Sequence, residues 1–356
     1  MSRPYRLTLA LLSLAVLTLA ACSRPVTPLP EAPAASPTPV PPIVFPRDAG
    51  PHDSLTEWWY YTGHLRSERD GHQYGFEFVV FQVQRQGAPT GYLAHFAVSD
   101  VDGGRFSHQA RFAQGAPAMD FPLDVNGWRL DRQGSSDVLQ ASMQSGPGAE
   151  PSFGIDLRVT DDKPPALHHG GYIDYGPAGG SYYYSRTRLN VVGQLTQAEG
   201  EQVPVSGSAW MDHQWGNFVV ASAGGWDWYS LQLDDQTELM LYVLRSAAGE
   251  TTGVYGSQVL ADGSVRDLPL GSVLAESTGS WTSPHTGGVY PSGWLLTLPD
   301  GERLDVRPLL DDQELWFPGT SSATGVGAMA YWEGAVSVTG DRTGVGYVEL
   351  TGYAGH

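Results

Sequence analysis

Runs of alternating apolar and polar residues recur along the chain at short intervals, and no long stretch carries a helical period. Side chains of an extended strand point to opposite faces in turn, so a period of two marks a strand buried on one side. Residues 57–65, 73–84, 92–99, 127–130, 138–143, 153–159, 182–192 and 205–210 read this way. A second series follows at 228–233, 238–245, 255–260, 293–298, 303–308, 331–338 and 346–352. Turn compositions such as residues 67–71, Asp262-Gly263 and Asp300-Gly301 separate them. Residues 161–180, with Pro164-Pro165 and many glycines, read as a loop. The expectation is an all-β protein built of two barrels or sandwiches. A chain of 356 residues, 41% hydrophobic, is long enough for two such cores. The boundary between an N-terminal domain (52–195) and a C-terminal domain (196–356) is placed near residue 195.

Before these strands lie two segments that cannot form a core. Arg3 and Arg6 precede an apolar run, residues 7–21, too short to span a bilayer comfortably. That run ends Leu19-Ala20-Ala21-Cys22, and Cys22 is the only cysteine of the chain. It looks like a lipobox, so residues 1–21 are expected to be a lipoprotein signal peptide. Cys22 would then carry a lipid anchor in the bacterial cell envelope, the alternative being an ordinary signal peptide. Residues 22–51 read as a tether, since ten prolines fall within residues 24–51 and favour extended polyproline geometry. A lone cysteine permits no internal disulfide and no cysteine metal site. The net charge of −18 disfavours nucleic acid as a partner.

One stretch gathers what chemistry requires. Residues 207–216 read Gly-Ser-Ala-Trp-Met-Asp-His-Gln-Trp-Gly, and residues 225–229 read Gly-Trp-Asp-Trp-Tyr. Proton transfer on an apolar substrate needs an acid, a base and an apolar wall. Asp227, His213 and Asp212 are the catalytic candidates, with Trp215, Trp226, Tyr229, Trp58 and Glu57 as substrate-binding candidates. A carboxyl in a water-poor pocket stays protonated near neutrality, and indole faces stabilise a carbocation. Alternation sets Asp227 on the face opposite Trp226 and Trp228, so its pocket must be built by other residues. The bland alternative is a polar network that fixes the contact between domains. Glu57-Trp58-Trp59 and Tyr331-Trp332-Glu333 fit a structural role closing a barrel, with Glu57 paired to a buried arginine such as Arg186. His168-His169 reads as a solvated turn. Neither a zinc-spaced His cluster nor a Gly-x-Ser-x-Gly elbow nor a phosphate loop is present, so no metal or cofactor is expected.

Taken together, residues 57–64, 183–187, 207–216, 225–228, 331–334 and 350–353 resemble the AttH-like family, which includes the carotenoid 1,2-hydratases. The resemblance covers residues 52–356. It implies two packed lipocalin-like β-barrels and, for the carotenoid branch, cofactor-free addition of water to an isoprenoid double bond. It ties His213 and Trp215 to catalysis and maps the family's aspartate to Asp227. The family's tyrosine has no clean counterpart, since Gly225 stands two positions before Asp227. Two readings follow: a hydratase or lyase acting on an apolar substrate, or a membrane-tethered lipocalin-like binding protein for a lipid or pigment. A structural envelope protein is a third. The first requires His213 and Asp227 to converge in one apolar hollow.

Overall fold

Residues 40–144, 152–175, 179–218, 224–317 and 329–354 are described by the structure, a computed structural model. The expected signal peptide, Cys22 and most of the expected tether lie outside these residues. Among the described residues the elements are strands, apart from one 3-10 turn at Arg47–Ala49.

The strands form two large antiparallel sheets. The first has eleven strands, running from Arg105–Gly115 through Thr90–Asp100, Gln73–Val83 and Thr56–Ser67 to Gln202–Phe218 and Gly179–Thr196. It continues through Gly154–Asp161, Ser136–Ser142 and Trp128–Gln133 to Leu123–Val125. Its end strands Arg105–Gly115 and Leu123–Val125 approach one another, so the sheet curls into a barrel. Trp59, Phe76, Phe78, Phe96, Trp128 and Leu157 fill the interior. The second sheet has ten strands, with Trp226–Leu233, Gly344–Thr351 and Met329–Gly340 at its centre. Tyr229, Leu231, Leu241, Trp294, Trp332 and Leu350 pack inside it.

The two barrels meet face to face. Strand Gln73–Val83 is buried on both faces along most of its length, because one face fills the first barrel and the other meets the second. Tyr60, Val79, Tyr183 and Trp210 of the first sheet pack there on Trp228, Met240, Ala335 and Tyr347 of the second. Hydrogen bonds cross the contact from Ser99 Oγ to Gln313 Oε1 at 2.6 Å and from His64 Nε2 to the Gly346 carbonyl at 2.9 Å. Lys163 and Arg188 reach across to the fully buried Glu238 at 2.8 and 2.6 Å.

Five expectations need correction. Strand Gln202–Phe218 belongs to the first sheet, pairing Thr56–Ser67 on one side and Gly179–Thr196 on the other. The change of sheet therefore falls between Phe218 and Trp226, not near residue 195, and the Asp212-His213 motif is part of the first barrel. The 161–180 segment contains a strand, Ala166–Asp174, whose Ala166 and His168 are buried. His168 is hydrogen-bonded to Ser185 Oγ at 2.7 Å, not a solvated turn residue. The body begins near Pro42 rather than residue 52. There Ile43 packs on the first core, and the Ala49 carbonyl accepts a hydrogen bond from the Trp59 indole at 3.3 Å. Finally, Arg186 pairs with Asp137 and Asp161, while Glu57 is held by histidines.

Candidate active site

The alternation of strand Gln202–Phe218 divides the central motif between two environments. Met211, His213 and Trp215 point into the first barrel. Trp210 and Asp212 point out of it, toward the second barrel. Tyr60 lies directly opposite Asp212 on the neighbouring strand and shares its outward face.

Around Asp212 the two barrels enclose a group of acids and aromatic rings. Asp212 accepts hydrogen bonds from Tyr183 Oη at 2.7 Å, Trp210 Nε1 at 2.6 Å and Ser185 Oγ. Burial pushes its pKa up to about 6, against the pull of those three donors. From the second barrel come Glu333 and Glu349, directly opposite one another on adjacent strands. Like charges so placed repel. Glu333 is buried and accepts a hydrogen bond from Tyr60 Oη at 2.5 Å across the barrel contact. Burial, with the neighbouring charges of Glu349 and Glu77, holds it well above the ordinary carboxylate range. Glu349 keeps part of its surface exposed and takes a hydrogen bond from Trp226 Nε1 at 2.9 Å. Its pKa is pushed up to about 7, first by burial and then by Asp212 and Asp227. Glu77, from the middle of the first sheet, is buried, and burial with the charge of Glu349 raises it well above its usual value. It faces the Tyr331 hydroxyl, which itself shares a hydrogen bond of 2.6 Å with His95 Nδ1. Trp58, Phe81, Trp226 and Trp228 border the cluster.

His213 lies elsewhere, wholly buried at the end of the first barrel. Its ring stacks on Trp59 with centroids 4.7 Å apart, and Trp215 lies 4.6 Å away. Its Nε2 meets Glu57 Oε1 at 2.8 Å, and His52 Nδ1 meets the same oxygen at 2.7 Å. Burial would raise the Glu57 pKa, but the two imidazoles outweigh it and hold the carboxyl low. Burial keeps His213 below its usual value despite that carboxylate.

Asp227 is in a third place, the end of the second barrel's interior. It accepts hydrogen bonds from Tyr353 Oη at 3.0 and 3.1 Å and pairs with Arg245 at 3.2 Å. Arg245 in turn lies 3.8 Å over the Tyr353 ring. Burial pushes Asp227 up to about 6, as anticipated for a carboxyl in an apolar site. Its surroundings, however, are a cation and a phenol rather than an imidazole. Tyr229 shares that barrel interior, packed edge-on against Trp294. The structure therefore separates His213 from Asp227, because each points into its own barrel. It joins Glu57 and Trp215 to His213, and Trp58 and Trp226 to Asp212.

A cleft of about 190 Å³ opens between the barrels, lined by Phe106 and His108 on one side and His285, Asp312, Glu314 and Trp316 on the other. It does not touch His213 or Asp227. Phe317 adjoins its rim, with its ring against His108 and stacked on His95 at 4.7 Å. His95 leads through Tyr331 to Glu77.

The profile of the AttH-like family matches residues 36–353. A crystal structure of an AttH protein from Nitrosomonas europaea is 32% identical, covers 89% of this chain and 98% of its own, and superposes with a TM-score of 0.77. The chain belongs to the AttH-like family. Kievitone hydratase from Nectria haematococca has the same fold at 17% identity, with a TM-score of 0.65, over 87% of this chain and 93% of its own. No curated protein matches the chain. Within this AttH-like fold, Glu77, Glu349, Tyr60 and Tyr183 are members of the inter-barrel cluster that reading the sequence did not single out as candidates, and Glu333, read there as closing a barrel, joins them. A signal for them exists. Glu77 stands in Phe76-Glu-Phe-Val-Val-Phe81, a strand apolar on both faces, where a lone carboxylate must be buried.

Proposed function

We propose that this AttH-like protein is a cofactor-independent hydratase or lyase that adds water to a double bond of an isoprenoid or similarly apolar substrate. The site of the reaction is the inter-barrel acid cluster rather than the His213–Asp227 pair. The observation that supports it is the placement of Glu333 and Glu349 opposite one another, bordered by indoles and facing Asp212. Two such carboxyls share protons rather than both ionise. One acid is thereby kept as a donor beside one base, the combination that reversible hydration requires.

Glu349, the partly exposed member, delivers its proton to the alkene carbon. The resulting tertiary cation lies against the faces of Trp226 and Trp228, each worth roughly 0.5–2 kcal/mol to a cation. Water adds to the cation, and its surplus proton passes to a carboxylate, Asp212 or Glu333, which returns the site to its starting charge. The substrate enters by the cleft beside His108 and Trp316, past Phe317. A solved neighbour with this fold is a hydratase, which agrees with the reading without deciding it.

The test is incubation with acyclic carotenoids and prenylated phenols in isotopically labelled water. Product should gain one water carrying the label, and Glu349→Gln should lose it. A stoichiometric apolar ligand recovered unchanged, with no labelled product from any substrate, would replace catalysis with carriage. Export and anchoring through Cys22 belong to the same proposal. Cys22→Ser should move the protein from the membrane fraction to the soluble fraction.

A further inference from the structure

We propose that His52, Glu57 and His213 form a binding site for one divalent cation of the Zn²⁺ class at the end of the first barrel. The inference stands apart from the hydratase reading and does not rest on it. His52 and Glu57 lie five residues apart, and the pairing of strands Thr56–Ser67 and Gln202–Phe218 brings the distant His213 to them. One ligand atom from each lies within 4.8 Å of the others. Two imidazole nitrogens and one carboxylate oxygen make up a donor set that suits Zn²⁺ with an open fourth position.

The groups that hold these three side chains argue for it more strongly than the ligands alone. Glu57 is held by its far oxygen: Oε2 accepts the His52 backbone N–H at 2.8 Å and Gln82 Nε2 at 3.3 Å. Oε1 is thereby left facing both imidazoles. A metal-bound histidine is normally oriented through its other ring nitrogen. His213 Nδ1 meets Tyr184 Oη at 3.2 Å, and His52 Nε2 faces Asp48 Oδ1 at 3.5 Å. Ring stacking fixes both imidazole planes, His52 on Trp215 at 4.0 Å and 2° and His213 on Trp59 at 4.7 Å and 24°. Glu57 and His213 are wholly buried, but the His52 side chain keeps 19% of its surface exposed and so leaves a path for the ion. Tetrahedral ligands at about 2.05 Å from zinc stand roughly 3.3 Å apart. The contacts of 2.7 and 2.8 Å on Oε1 would open by about half an ångström when the ion enters, an adjustment side-chain rotation supplies.

The experiment uses the full chain, stripped with a chelator and then titrated with Zn²⁺ alone. Native mass spectrometry and competition with a chromophoric chelator read stoichiometry and affinity, and Co²⁺ reports tetrahedral geometry by its visible absorption. One ion per chain and a raised Tm are expected. His52→Asn should weaken binding by about 100-fold or more, while His72→Asn, which removes a separate His–Asp pair, should leave it unchanged. Because His52 lies at the rim, its variant should fold even if Glu57→Gln does not, and circular dichroism checks this. A wild-type chain that takes up no stoichiometric Zn²⁺ would overturn the proposal. So would affinity unchanged in His52→Asn, which would place the ion elsewhere and leave the triad a hydrogen-bonded His-Glu-His network.

Discussion

Glu333 and Glu349 occupy facing positions on neighbouring strands, a placement that costs stability if both ionise and therefore needs an offsetting purpose. If Glu349 is the proton donor, Glu349→Gln removes general-acid catalysis, typically worth 10²–10⁴-fold, and kcat should fall by about that much. The same substitution relieves repulsion, so Tm at pH 8 should hold or rise. A fall in both would mark Glu349 as structural. The rate should also depend on the protonated form. With its pKa pushed up to about 7, activity should decline above that pH, and a rate still rising from pH 7 to 9 would exclude Glu349 as the donor. The sequence exposed part of this site. It singled out Asp212, Trp58 and Trp226 by composition. It could not say which barrel each would face, and placing Asp227 beside His213 assumed a convergence that two separate interiors forbid. Strict alternation, applied to Asp212 and His213 as it was to Asp227, already sends them to opposite faces of one strand.

Most of the longer strands, in contrast, were legible, because a period of two is a local property, but Arg105–Gly115 and short strands such as Leu274–Ser277 and Glu314–Phe317 were not read. Glu238–Arg245 and Arg303–Pro308 lie where alternation placed them. Ala166–Asp174 was missed because its His168-His169-Gly170-Gly171 sequence carries turn residues, with His169 at φ 50° and Gly170 at 72°. Its pairing with Gly179–Thr196 is a tertiary effect that no local pattern announces. The assignment of Gln202–Phe218 to the first sheet is of the same kind. How the elements lock together can be tested at two points. A Cβ on Gly75 would come within 2.4 Å of Tyr347 Oη and 2.8 Å of Ala335 Cβ, both on the second barrel. Gly75→Val should therefore overpack the contact and cost about 1–3 kcal/mol in urea unfolding. At the other edge, Glu238 is the buried counter-ion for Lys163 and Arg188. Glu238→Ala leaves two cations without it and should cost about 3–5 kcal/mol. A loss below 1 kcal/mol in either variant would show that the barrels are joined mainly by other contacts.

At the scale of the whole molecule, the acid cluster ties folding to pH with a sign that can be worked out. Burial raises Asp212 to about 6, Glu349 to about 7, and Glu77 and Glu333 well above the ordinary range. Each of these groups holds its proton more tightly folded than unfolded. Stability therefore falls as pH rises from the ordinary carboxylate range through each folded-state value. Buried histidines act in the opposite direction. His95 and His168 are depressed to about 3 and His108 to about 4 by burial, so the unfolded chain binds protons that the folded chain refuses. Their effect favours unfolding below the ordinary histidine pKa of about 6.5 and is spent above it. The two sets compete on the acid side, but the folded-state value of Glu349 near 7 lies above the range in which His95, His108 and His168 act. The barrels share the interface that holds these groups, so they should unfold together. Calorimetry across pH 6.5–9 should find one transition whose Tm declines as pH rises. Glu349→Gln should flatten that decline by removing the acid whose folded-state value lies near 7. A Tm that rises between pH 7 and 8 would mean that the inter-barrel carboxyls are already ionised and compensated, and the shared proton on which the hydration chemistry depends would not exist.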